Sequence, residues 1–138
     1  MDAAGATLLF RLLSMGTSSL LQYTSESSPW SAANREDVLA GLMAIAREER
    51  DEVDRLTRVL QKKRIRIPAA ASYPSHFTTA NFVSVEYLLP KLIAEHELEI
   101  AEIERQLHPE FNDEIRGLAD PYLAMKRRHI DTLRHLIS

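Results

Sequence analysis

Apolar side chains recur every three or four residues along most of this chain, in stretches separated by polar or proline-containing links. This spacing places side chains on one face of an α-helix, so it predicts amphipathic helices. Four helices are predicted, over residues 3–23, 34–64 and 78–107 and then, after Pro109, over residues 115–136. Pro90 and Pro121 fall inside the last two, and we expect a kink in the third helix and a kink or restart near Asp120 in the fourth.

The predicted links differ in length. Short links join the first helix to the second and the third to the fourth, whereas residues 65–77, with Pro68 and Pro74, form one long connection. A connection of this length can run from one end of a helical bundle to the other. The pattern therefore predicts a single all-α domain over residues 1–138, a four-helix bundle with a long crossover between helices two and three.

Composition agrees with one folded domain. Of the 138 residues, 45% are hydrophobic and 27% are charged, which is ordinary for a chain that buries a core. Cysteine is absent, which excludes thiolate metal ligands and cysteine nucleophiles. A formal charge of −3 gives no electrostatic reason to bind nucleic acid or an anionic membrane, so neither is expected as a partner.

The N-terminal segment does not follow the pattern of a signal peptide. Asp2 lies where basic residues belong, and Arg11 interrupts the apolar run of residues 6–13. No uninterrupted apolar stretch approaches the ~20 residues of a membrane-spanning helix. We therefore expect no membrane association and a cytoplasmic location.

Polar residues interrupt three of the apolar faces. Glu49, His96 and His129 lie at the centres of the second, third and fourth faces and near the middle of their helices, so they could share one layer of the bundle. The matching positions of the first helix are Gly16 and Ser19, which offer space rather than ligands.

Carboxylates and imidazoles from facing helices can hold a metal pair such as iron, manganese or zinc. They can equally form a metal-free, hydrogen-bonded cluster in which each polar group satisfies another, and the pattern favours this second interpretation. The metal-ligand candidates are Glu49, Glu52, His96, Glu99 and His129, with Glu95 as an alternative to Glu99.

The remaining candidates are interpreted as surface. Residues 62–66 are basic at the end of the second helix, where cations face the negative pole of the helix dipole, and residues 126–128 are interpreted as a solvated face. Trp30 is expected to cover one end of the bundle, and His76, His108 and His135 are expected to be exposed or in loops.

The helix order, the crossover and the segments 46–56 and 87–99 resemble the ferritin-like superfamily, especially its small rubrerythrin-like and bacterial members. The resemblance covers nearly the whole chain and implies a ferritin-like four-helix bundle. Di-iron members carry one glutamate on the first and one on the third helix, and a Glu-x-x-His motif on the second and on the fourth.

Carried over by position, the second-helix glutamate is similar to Glu49, but Glu52 stands where the motif has histidine. The third-helix glutamate is similar to Glu95 or Glu99. The resemblance therefore implies bridging carboxylates without the second-helix histidine.

The other two helices also depart from the pattern. The fourth-helix histidine is similar to His129, but Lys126 stands three residues before it in place of an acid, and the first-helix glutamate would fall near Gly16 and is missing. The resemblance thus implies an incomplete ligand set.

Three functions remain open from the sequence. The first is a non-enzymatic helical protein without a resident cofactor, with a homodimer as one assembly, that acts through its surface or through a pocket near the crossover. The second is a protein with a mononuclear or atypical di-metal site and oxidoreductase-type activity. The third is a module that recognises an acidic partner through residues 62–66.

Overall fold

A computed structural model describes residues 1–69 and 72–137, and these residues contain helices and no strand. The prediction of an all-α chain is confirmed. The five helices are α1 (Ala3–Thr17), α2 (Leu20–Glu26), α3 (Glu36–Lys62), α4 (Val85–Gln106) and α5 (Asp113–Ile137), and a 3₁₀ helix (Ser75–Ala80) lies between α3 and α4.

The predicted first helix is two helices, separated at Ser18 and Ser19. Ser19 has an extended backbone, and its hydroxyl accepts a hydrogen bond of 3.0 Å from the backbone N–H of Gln22. Serine is favoured at this capping position because its oxygen satisfies an N–H that would otherwise have no partner at the start of a helix. The apolar spacing concealed the break because Leu20 and Leu21, beyond it, are buried as well.

The third predicted helix begins later than expected. Ser84 caps α4, whose first residue is Val85, and residues 75–80 are in the 3₁₀ helix instead. Phe82, inside the predicted range of this helix, is 94% exposed and has a left-handed backbone with a φ of 67°. The predicted start of the third helix at residue 78 was therefore wrong.

Helices α4 and α5 each continue through an internal proline. Pro90 lies inside α4 and Pro121 inside α5, and both positions are exposed. The predicted alternative of a helix restart near Asp120 is wrong, because α5 is continuous through that residue.

The buried apolar side chains form two clusters, which we call the first and second core clusters. The first contains residues of α1, the C-terminal halves of α3 and α4, and the N-terminal half of α5. The second contains residues of α2, the 3₁₀ helix, the N-terminal halves of α3 and α4, and the C-terminal part of α5. Helices α3 and α4 therefore run in the same direction, and α5 runs in the opposite direction.

The connection from α3 to α4 starts near the first core cluster and ends at the second. Leu60 belongs to the first cluster and Val85 to the second. The predicted crossover of residues 65–77 lies within this connection, although Ala70 and Ala71 are outside the described residues.

A set of polar side chains lies between the two core clusters. All are buried except Glu99, which is 12% exposed. We call this set the polar layer, and it comprises Ser19, Glu49, His96, Glu99, Lys126 and His129.

The N-terminal stretch Ala3–Glu26 is long and apolar enough to cross a membrane by length and composition alone. Just over half of its most apolar part is buried in the bundle, and the core helix of a globular protein or a signal sequence has the same character. The expected absence of membrane association stays a prediction.

Candidate functional site

Glu49 of α3 and Lys126 of α5 form an ion pair at the centre of the bundle. Both side chains are fully buried, and the Lys126 ammonium donates a hydrogen bond to Oε2 of Glu49. On its other side, Lys126 Nζ lies 3.1 Å from Oε2 of Glu99 on α4. A buried ion is costly unless it is paired, and the ammonium offsets the charge of Glu49 while it lies beside the carboxyl group of Glu99.

This position of Lys126 corrects the sequence interpretation of residues 126–128 as a solvated face. Arg127 and Arg128 are exposed as expected, but Lys126 is not. Lys126 follows Tyr122 by four residues and precedes His129 by three, so all three side chains lie on the buried face of α5.

Two further donors complete the surroundings of Glu49. The Ser19 hydroxyl donates to its Oε1 at 2.5 Å, and the side-chain amide of Gln22 donates to the same oxygen at 3.0 Å. Both donors come from the start of α2, so the break between α1 and α2 places them against α3. Ser19 was expected to offer only space, whereas it is a direct partner of the central carboxylate.

Ionisation in this part of the layer is set by burial and by the neighbouring charges. Burial acts to lower the pKa of Lys126, but the carboxylates of Glu49 and Glu99 outweigh it and raise that pKa above its ordinary value. Burial raises the pKa of Glu99 to about 7, with a further increase from Glu49 and an opposing decrease from Lys126. Near neutral pH Lys126 is therefore charged, and the carboxyl group of Glu99 is partly protonated.

Tyr122 lies next to this charged group. The Lys126 ammonium is 5.7 Å from the centre of the Tyr122 ring, and burial raises the pKa of the tyrosine hydroxyl. The hydroxyl is buried and makes no hydrogen bond with any described residue. Tyr122 therefore packs beside the ion pair as a neutral ring.

His96 and His129 form the other part of the polar layer. Each is 1% exposed, and their ring centres are 6.0 Å apart. Nδ1 of His96 lies 3.0 Å from the backbone oxygen of Leu92, which can only accept, so Nδ1 carries the proton and Nε2 carries a lone pair. Nε2 has no hydrogen-bond partner among the described residues.

His129 is bonded even less completely. Neither ring nitrogen makes a hydrogen bond with a described residue, and the nearest carboxylate is that of Glu48, 3.7 Å from Nε2. Burial and the positive charge of Lys126 lower the pKa of His96 to about 2, and burial also lowers the pKa of His129. Both imidazoles are therefore neutral at pH 7.

Four of the six candidate ligands meet in the polar layer, namely Glu49, His96, Glu99 and His129. Glu52 lies outside it and accepts a hydrogen bond of 2.7 Å from Nε of Arg55. The alternative, Glu95, is half-buried and lines a surface depression. Among residues 1–69 and 72–137, no group of three or more histidine, aspartate or glutamate side chains is arranged to hold a metal ion.

The residues interpreted as surface are mostly exposed. The basic residues of 62–66 and the three histidines assigned to loops or surface are all solvent-accessible, and Lys63 pairs with Glu114 at 2.7 Å. Trp30 is 47% exposed, and its backbone oxygen accepts a hydrogen bond of 2.8 Å from the N–H of Val85. These residues leave the polar layer as the main chemical feature of the interior.

Compared with models of known protein families, with curated proteins and with solved structures, the chain has no match. Function is therefore inferred from the contacts of the chain itself. Those contacts define a helical bundle with a lysine–carboxylate centre.

Proposed function

We propose that the protein is a non-catalytic, ferritin-like helical bundle in which Lys126 takes the place of a metal ion, and that it acts by binding a partner at its surface. The observation that carries this proposal is the Lys126 ammonium between the carboxylates of Glu49 and Glu99. In di-metal bundles, carboxylates from facing helices neutralise the bound cations. Here an ammonium supplies the positive charge.

Helix direction supports the ferritin-like part of the proposal. Helices α3 and α4 run in the same direction, so a long connection must return along the bundle between them, as in bundles with one crossover. Helices α1 and α2 together correspond to the first helix of such a bundle, broken at Ser18 and Ser19.

Electrostatics supports the metal-free part. A divalent ion bound between Glu49 and Glu99 would lie next to the Lys126 ammonium. Two unit charges about 4 Å apart repel by about 4 kcal/mol at an effective dielectric constant of about 20, and a divalent ion is repelled by about twice as much. The raised pKa of Lys126 opposes release of its proton to relieve that repulsion. The ammonium and a metal ion are therefore competitors for one position.

Metal analysis of untagged protein tests the proposal. We expect wild-type protein to contain no stoichiometric iron, manganese or zinc after incubation with each ion and desalting. The variant Lys126→Glu has a Glu-x-x-His sequence ending at His129 and a third carboxylate in the layer, so it is expected to gain metal. Arg127→Glu, at the exposed neighbouring position, is the control and should gain none. Stoichiometric metal in wild-type protein would contradict the proposal.

A metal-binding protein with oxidoreductase-type activity is the second candidate. One observation favours it: three ring nitrogens of His96 and His129 have no hydrogen-bond partner among the described residues, and neutral imidazole nitrogens are good ligands for transition metals. The same metal analysis distinguishes the candidates, because this one requires an ion in wild-type protein that is lost in His96→Ala and His129→Ala.

A further inference from the structure

A groove runs along α4 on the side that faces the 3₁₀ helix and the break between α1 and α2. It consists of two depressions of about 240 and 220 Å³. The two share Leu20, Phe77 and Glu95, so they lie next to each other. The groove extends along α4 from Leu88 to Glu102, which at about 1.5 Å per residue corresponds to about 21 Å.

Both depressions are lined by apolar and polar side chains together, and the carboxylate of Glu95, which belongs to both, is unpaired among the described residues. Leu20 and Phe77 are buried beneath it, and Leu98 is 66% exposed on its edge. Glu95 is half-buried where the two depressions meet, and it makes no hydrogen bond or ion pair with any described residue. By contrast, Glu102, further along the groove, is held by Arg11 at 2.9 Å.

We infer that this groove binds an amphipathic helix of a partner protein, with a lysine or arginine opposite Glu95 and an apolar side chain in each depression. The inference rests on the proposed non-catalytic binding function and names the partner's chemistry. A half-buried carboxylate without a counterion is complementary to a cation, and the charge pair selects basic over acidic partners.

The spacing of the depressions indicates that the occupant is a helix. One depression lies along residues 88–95 of α4 and the other along residues 95–102, so each covers about two turns of the helix on one side of Glu95. A helix alongside α4 repeats its own apolar residues every three or four positions, so two apolar side chains can enter the depressions with a basic residue between them.

Selection from a display library of amphipathic helical peptides tests the inference. Wild-type protein is the target, and the peptides recovered are expected to share a lysine or arginine flanked by apolar residues at helical spacing. The recovered peptide with the highest affinity is then titrated against wild-type protein and three variants by fluorescence anisotropy. Glu95→Lys and Leu98→Glu should weaken binding and raise the Kd of the peptide by about tenfold or more.

Glu97→Lys is the matched control. It should change the Kd by no more than about twofold, because Glu97 lies outside the proposed interface. Glu97 is an exposed α4 residue outside the groove lining, and it pairs with Arg134 at 3.0 Å. Failure to recover any peptide, recovery of acidic peptides, or equal binding by wild-type protein and Glu95→Lys would overturn the inference.

A second copy of the chain is the competing occupant. Wild-type protein that dimerises in sedimentation experiments, and whose dimer is lost in Leu98→Glu, would assign the groove to self-association and overturn the inference. The metal analysis is a separate measurement: metal in wild-type protein would refute the proposed function, whereas the dependence of peptide affinity on Glu95 and Leu98 tests the groove. Metal-free protein that shows no preference among the peptides would refute the inference about the groove and leave the proposed metal-free function standing.

Discussion

The polar layer has two parts, the lysine–carboxylate group and the histidine pair. Both are buried to a similar degree, but their polar atoms are satisfied very differently. Around Glu49, each carboxylate oxygen has a donor, and Lys126 lies between two carboxylates. In the histidine pair, His96 has one hydrogen bond and His129 has none to a described residue. The first part keeps its charges by pairing them, and the second avoids charge by staying neutral.

This difference separates the free-energy cost of losing a partner of a buried charge from the cost of losing a buried neutral group. Removing one partner from a buried ion pair leaves the other charge unpaired, whereas removing a neutral group without hydrogen bonds leaves nothing unpaired. The two parts should therefore respond very differently to substitutions of similar size, and the following predictions are arranged from the largest expected effect to the smallest.

Lys126→Met should have the largest effect. It leaves the carboxylates of Glu49 and Glu99 buried without their cation, so the free energy of unfolding should fall by about 3–5 kcal/mol. Urea denaturation at pH 7 measures this change. Arg127→Met is the control, because Arg127 is 57% exposed and its loss should change stability by no more than about 0.5 kcal/mol.

Neutralising the carboxylates as well should restore most of the lost stability. The triple variant Lys126→Met, Glu49→Gln, Glu99→Gln contains no unpaired buried charge, so its free energy of unfolding should exceed that of Lys126→Met. A single variant that costs less than about 1 kcal/mol, or a triple variant no more stable than the single one, would contradict the pairing account.

The pH dependence of stability should distinguish Glu99 from the histidines. Burial raises the pKa of Glu99 from its ordinary 4.5 to about 7, so between these pH values the folded protein holds a proton that the unfolded chain releases. Its contribution to the free energy of unfolding therefore decreases as the pH rises through this window. The lowered pKa values of His96 and His129 act in the opposite direction, because below pH 6.5 the unfolded histidines bind protons more readily than the folded ones.

The variant Glu99→Gln isolates the carboxyl contribution. The stability of wild-type protein relative to this variant should fall by on the order of 2–3 kcal/mol between pH 4.5 and pH 7.5. Denaturation curves at four or five pH values measure the difference, with Glu95→Gln as a control on the same helix. Parallel pH profiles for wild-type protein and Glu99→Gln would show that the carboxyl is not perturbed.

Two glycines compare a tightly packed position with an open one. Gly16 lies against Val53 and Tyr122, and Gly117 faces open space. A Cβ atom at Gly16 would lie 2.5 Å from Cγ2 of Val53 and 2.9 Å from the Tyr122 hydroxyl, so Gly16→Ala should cost about 1–3 kcal/mol. Gly117, inside α5, has no atom within 4 Å of such a Cβ, so Gly117→Ala should add about 0.5–1 kcal/mol because alanine is the better helix former. Thermal denaturation of both variants checks the expected opposite signs.

The smallest effect is expected for the histidine pair. His96→Leu and His129→Leu remove no charge at pH 7 and almost no hydrogen bonding, so each should change the free energy of unfolding by less than about 1 kcal/mol. At pH 5 both variants should be more stable relative to wild type than at pH 7, because no buried imidazole opposes protonation. A loss above about 2 kcal/mol at pH 7 would mean that the rings have partners beyond those described.

Periodicity located three members of the polar layer because each interrupts an apolar face at its centre, namely Glu49, His96 and His129. It did not locate Lys126, although the same spacing places this residue on the buried face of α5. A lysine followed by two arginines resembles a solvated surface, and only the approach of carboxylates from α3 and α4 makes its burial favourable. That information lies in the tertiary contacts and not in the local sequence.

The break at Ser18 and Ser19 was missed for a related reason. Both halves of the first predicted helix carry leucines on the core side, so the apolar spacing continues across the break. The advantage of breaking the helix appears only with Glu49, which receives hydrogen bonds from Ser19 and Gln22. The all-α class, by contrast, follows from spacing within each helix, and for that reason it could be predicted.

The ion pair at Lys126 also has a consequence for alignment. The two core clusters are rich in leucine, and leucine layers tolerate sliding of one helix past another by a turn. A slide of one turn, about 5.4 Å, would move the ammonium away from both carboxylates, so the charges permit one vertical alignment of α3, α4 and α5. We expect the uncharged triple variant to lose this discrimination and to show more than one set of backbone amide resonances in NMR spectra, whereas wild-type protein shows one.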